Sequence, residues 1–119
     1  MSTHARELGA AGETLVANYL KSQGAQIIAQ NWRIKEGEID LVARLNGVLI
    51  FVEVKSRSSN AFGHPLEAID RKKAFRLQRL ALAWIAVHDQ WGAEYRIDAA
   101  AVDYRNGLKP TIDYRAGIL

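Results

Sequence analysis

The stretch "GEIDLVARLNGVLIFVEVKSR", Gly37 to Arg57, decides the fold. At its centre, Asn46-Gly47 is the dipeptide favoured by a type I′ hairpin turn, in which both central residues need positive φ. With these two as the loop, Leu45 faces Val48, Arg44 faces Leu49, Val42 faces Phe51, Asp40 faces Glu53 and Glu38 faces Lys55. Side chains alternate along a strand. One face therefore carries Ile39, Leu41, Ala43 and Leu45 beside Val48, Ile50, Val52 and Val54, all apolar. The other carries Val42, Leu49 and Phe51 near the turn, then Glu38, Asp40, Glu53 and Lys55 together at the open end.

Like charges directly opposed across a ladder are destabilising, and burial raises the cost of their charged forms. Two facing carboxylates become tolerable when one is protonated, when water solvates both, or when a cation sits between them. Mg²⁺ takes carboxylate oxygens while keeping several waters. A lysine two residues beyond Glu53 shares its face and can reach an anion or a water there. The constellation suits metal-assisted hydrolysis of a phosphodiester. An ordinary Glu38–Lys55 salt bridge, with Asp40 and Glu53 on a solvated edge, fits the same pattern, and alternation leaves both readings open.

Around the hairpin, Leu8, Leu15, Val16, Tyr19 and Leu20 recur at helical spacing and predict a helix over Thr3 to Gln23, stopped by Gly24. Ala25 to Ile34 is rich in strand formers. Arg57 to Pro65 reads as a polar loop. A second helix runs from Leu66, and more firmly from Asp70 as N-cap, to about His88, with Leu77, Leu80, Ala81, Trp84 and Val87 as its buried stripe. Ala93 to Arg105 is a further strand and "TIDYRAGIL" a terminal strand or tail. This order predicts one mixed α/β domain over residues 1–119, with the helices on opposite faces of the sheet or both on one.

The 119 residues, 49% hydrophobic and 24% charged, match a globular chain able to bury a core unaided. Zero cysteines exclude disulfides, thiolate zinc sites and a cysteine nucleophile. The first twenty residues lack an apolar core, and the longest apolar run, Leu80 to Val87, falls well short of the roughly 20 residues that span a bilayer. A soluble, cytoplasmic protein with no membrane partner is expected. A net charge of +3 permits an anionic partner without requiring one.

"GEID" followed by "FVEVKSR" resembles the acidic core of the PD-(D/E)XK nuclease superfamily. With "GAAGETLVANYLKSQG", "NWR" and "FGHPLEAIDRKK" in order, the chain resembles more closely the YraN family, related to Holliday-junction resolvases. The resemblance implies a restriction-endonuclease-like fold and a metal-dependent endonuclease acting on DNA, with branched or structured DNA as the substrate class. Asp40, Glu53 and the Val54 carbonyl would be metal ligands for Mg²⁺, with Mn²⁺ as a substitute. Lys55 would orient the attacking water or stabilise developing charge. Glu13 would complete the catalytic set; Gly9 and Gly12 would let its helix approach the sheet closely, although on its own residues Glu13 reads as a surface acid. Ile39 stands where the superfamily often has proline. A non-catalytic nucleic-acid-binding module that keeps the fold is the alternative, and an interaction adaptor with structural acids a third reading.

In "DRKKAFRLQR", Lys72, Arg76 and Arg79 share a helical face suited to phosphate contacts, or simply to solvation. Arg33, Arg57 and His64 fall near the same end and add candidate nucleic-acid contacts. The three histidines lack metal-ligand spacing. A resolvase cutting two strands would need two sites, which makes a homodimer an expectation on mechanistic grounds.

Overall fold

The computed structural model describes residues 3–58, 70–104 and 109–119, with side chains from residue 7 onward. The elements run α1 (Thr3–Ser22), β1 (Gln26–Ile34), β2 (Gly37–Leu45), β3 (Val48–Arg57), α2 (Arg71–Val87), β4 (Tyr95–Asp103) and β5 (Thr111–Arg115). The five strands lie side by side in chain order. The pairs β1–β2, β2–β3 and β4–β5 are antiparallel, while β3 and β4 are parallel. A parallel pair needs a long crossover, and α2 lies within that connection.

The hairpin forms as the dipeptide dictates. Asn46 and Gly47 have φ of 52° and 80°, and the register runs from Leu45–Val48 through Val42–Phe51 to Leu41–Val52. The two helices take opposite faces, which resolves the choice left open by the sequence. Val16, Ala17 and Leu20 of α1 pack with Leu41, Ala43, Ile50 and Val52. Leu77, Leu80, Ala81 and Trp84 of α2 pack with Val42, Leu49, Phe51 and Ile97. Each large apolar side chain buried this way is worth about 1.5–3 kcal/mol, so both amphipathic helices are fixed by the sheet between them.

Asp70 caps α2 as its sequence position implies, its carboxylate accepting from the Lys73 N–H at 2.9 Å. Val87 departs from the expected stripe and is 68% exposed, because it is the last residue of α2 and the chain turns away at His88. Asp98 is fully buried and accepts from Arg96 Nε, Tyr114 Oη and the Gly117 N–H, tying β5 and the C-terminal tail to β4. The result is an α/β fold compatible with the restriction-endonuclease-like architecture. Among the described residues, no helix is long and apolar enough to cross a membrane.

Candidate functional site

The charged end of the hairpin is where the sheet opens. Pairing between β2 and β3 stops at Leu41–Val52. Beyond it β2 stays paired with β1 back to Gly37, and β3 stays paired with β4 out to Arg57. The two central strands part between these attachments. Asp40 is consequently not a ladder partner of Glu53, as strict continuation of the register would have it. Its Oδ2 instead accepts from the Val54 N–H at 2.8 Å, where a ladder carbonyl would have stood.

Alternation breaks at the same point. Ile39, expected on the face of Leu41, packs with Val42 and Phe51 against α2. It pairs with Trp32 of β1, so it follows β1 after β2 leaves β3.

Acids from two elements meet at this opening. Glu13, Glu38 and Asp40 each offer a carboxylate oxygen, all within 4.8 Å of one another. A cleft of about 280 Å³ is lined by Glu38, Asp40, Glu53 and Lys55 from the sheet and by Lys73 and Arg76 from α2. Leu77 and Leu80 supply its apolar part.

Glu13 reaches the cluster because α1 sits tightly on β3 at Gly12, where a Cβ would collide with Ser56 Oγ. Gly9 has open space around it and plays no such part. On the other side, a Cβ on Gly37 would come within 3.1 Å of Arg76 Nη2 and Leu80 Cδ1, so glycine lets α2 lie close. Helices on opposite faces thus both reach the acids at the parted strands.

The electrostatics record this crowding. Burial, and next the Glu53 charge, push the Asp40 carboxyl up to about 7, against the lowering effect of the Val54 N–H; Glu13 and Glu38 add to the rise. Glu13 is also raised, chiefly by burial and then by Glu38 and Glu53, while a hydrogen bond from the Asn31 side chain lowers it. Lys55 Nζ lies 3.3 Å from Glu53. Glu38 pairs with Arg33 at 2.9 Å rather than with Lys55, so the cross-strand salt bridge of the alternative reading does not form.

This donor set fits a hard divalent cation. It is carboxylate-rich, partly buried and crowded with like charge that a cation would offset. The compact trio includes Glu38, which the resemblance did not assign, whereas Glu53 lines the same cleft outside that trio.

The cationic residues divide into groups. Arg76 lines the cleft and donates to the Glu36 carbonyl at 3.3 Å. Lys72 and Arg79 are exposed on α2, Arg79 bordering a neighbouring cavity with Arg76 and Ile34. Arg33 is 74% exposed and engaged with Glu38. Arg57 closes β3, its carbonyl accepting from Tyr104 N–H at 2.9 Å. His64 lies outside the described residues.

Two residues escaped the sequence reading. Lys73 sits one turn before Leu77 and two before Leu80, so its spacing on the inward stripe was an available signal. Asn31 gave no periodic signal at all. A larger cavity of about 550 Å³, between the start of α2 and the C-terminal tail at Arg115 and Leu119, includes none of the clustered acids in its lining.

Comparison with known proteins matches residues 12–102 to the family model described as "Uncharacterised protein family UPF0102". A UPF0102 protein of Beutenbergia cavernae is 52% identical over 95 residues, 80% of each chain. One from Leifsonia xyli is 42% identical over 113 residues, 95% of this chain and 96% of its own. One from an Arthrobacter species is 44% identical over 111 residues, 93% of this chain and 94% of its own.

Proposed function

We propose that this chain, which belongs to the UPF0102 (YraN) family, is a metal-dependent endonuclease acting on DNA, with branched or structured DNA as its substrate class. The observation that carries this reading is the convergence, at the parting of β2 and β3, of Glu38 and Asp40 in one cleft with Glu53, Lys55, Lys73 and Arg76, and of Glu13 from α1 within 4.8 Å of those first two acids. Acids facing cations across one cleft suit a phosphate approached from both sides.

Asp40, Glu53 and the Val54 carbonyl, joined by Glu13 and Glu38, would hold Mg²⁺ or Mn²⁺. A divalent ion there would supply Lewis acidity toward the scissile phosphate and ease deprotonation of a water. The chain's own residues do the rest. Lys73 and Arg76 hold the phosphate against the acids by charge-assisted hydrogen bonds. Lys55, kept close by Glu53, donates to the attacking water or to charge developing on the phosphoryl oxygens. Leu77 and Leu80 keep bulk water from one side of the cleft. Lys72, Arg79, Arg33 and Arg57 extend the phosphate contacts outward. Cutting both strands of a junction needs two sites, so the acting form is a homodimer, which light scattering with and without DNA checks.

Incubating four-way, duplex and single-stranded DNA with Mg²⁺, Mn²⁺ or EDTA tests the reading. Metal-dependent cleavage is expected. A mobility shift without cleavage would favour the non-catalytic binding module, and neither would favour an adaptor. Replacing Lys72, Arg76 and Arg79 together by Ala is expected to weaken binding across all sequences and to flatten its salt dependence, since a phosphate that no side chain neutralises keeps its counterions. Unchanged affinity and salt slope would make that face a solvated one.

A further inference from the structure

Asn31 has φ of 54° in the middle of β1. The other non-glycine residues with positive φ among those described, Asn46 and Asp89, lie in the hairpin turn and just past the end of α2. A turn therefore accounts for those two and not for Asn31. Its neighbours Gln30 and Trp32 pair with Leu41 and Ile39, which places Asn31 across from Asp40, where β2 changes face. Asn31 is exposed, so packing does not hold it in this conformation. Its side-chain amide favours the charged form of the Glu13 carboxylate.

Asparagine tolerates the left-handed region better than most residues, but glycine enters it with less cost. What glycine lacks is the amide. Glu13 comes from α1, whereas Asp40 and Glu38 belong to β2, and its flexible side chain is repelled by the charges of Glu38 and Glu53. A donor fixed opposite Asp40 anchors that carboxylate among its like-charged neighbours.

We infer that Asn31 is a positioning residue for the acid cluster, its left-handed backbone aiming the amide so that Glu13 is held facing Glu38 and Asp40 for a divalent cation. The inference rests on the metal-dependent reading above. Outer partners that orient metal-binding side chains typically change metal affinity by about 10- to 100-fold.

The test is a Mn²⁺ titration by calorimetry on wild type, Asn31→Gly, Glu13→Ala and the double variant, with melts in EDTA. Glycine keeps the backbone at ease and removes only the amide. Asn31→Gly is expected to melt close to wild type in EDTA and to bind Mn²⁺ about tenfold more weakly. In the Glu13→Ala background the same change should alter affinity less than about twofold, because its target is gone. Wild-type affinity in Asn31→Gly, or an equal loss in both backgrounds, overturns the assignment. If wild type itself shows no Mn²⁺ binding, the metal reading fails and this inference fails with it.

Discussion

Asp40→Asn should raise the melting temperature of the metal-free protein at pH 8 by several degrees and abolish most of its response to Mn²⁺. Substitutions in central strands ordinarily destabilise, so the sign of this effect is diagnostic. Asn retains an oxygen that can accept from the Val54 N–H. What disappears is a charge that burial and Glu53 disfavour enough to push Asp40 up to about 7. A rise from the ordinary carboxylate range to about 7 corresponds to on the order of 4 kcal/mol at pH 8.

The sign with pH follows from the proton count. The unfolded Asp40 titrates near 4 and the folded one near 7. Between these values the folded state holds the extra proton, so the contribution of Asp40 to stability falls as pH rises from about 4 to about 7 and is flat above. Melts in EDTA from pH 5 to 8 should therefore show Asp40→Asn gaining on wild type across that window. A variant that melts well below wild type at pH 8, with neither protein responding to Mn²⁺, would make Asp40 a structural residue.

Lys55→Ala should reduce the cleavage rate by about 10²–10⁴-fold while leaving DNA affinity within a few fold. Its ammonium is assigned to charge that develops in the transition state, so the loss should fall on kcat and leave KM nearly unchanged. Lys55 also offsets Glu53 across 3.3 Å. Without it the acids are less neutralised, and Mn²⁺ affinity should be unchanged or higher. Single-turnover cleavage, DNA titration and Mn²⁺ titration on one preparation separate these effects. A parallel loss of affinity and rate would reassign Lys55 as a phosphate anchor.

The hairpin was legible from its turn as far as Leu41–Val52, because Asn46-Gly47 fixes both a turn and a register and five residue pairs follow from it. Asp70 and the Leu77–Leu80–Trp84 stripe likewise announced α2. The grouping of Asp40, Glu53 and Lys55 in one cleft was readable from alternation. Their detailed geometry was not, because alternation assumes an unbroken ladder. No local preference in Gly37–Leu41 says that β2 leaves β3, so Ile39 was expected on the opposite face and Glu38 was matched to Lys55 rather than Arg33. Asn31 was hidden for a related reason. Its side chain matters only once the strand is irregular, and a strand-forming sequence does not reveal that irregularity. The close approach of α1 was legible in its glycines, at Gly12 though not at Gly9, but helical spacing alone did not say that it would carry Glu13 to the acids of β2.

The most direct measurement of the central claim is an anomalous-difference map from a crystal of the protein soaked in Mn²⁺ at pH 8. The account predicts a peak at the parting of β2 and β3, within coordination distance of Asp40 and at least one of Glu13, Glu38 and Glu53, and its disappearance in Asp40→Asn. No peak at that cleft in a well-ordered wild-type crystal, or one that persists unchanged in the variant, would contradict it.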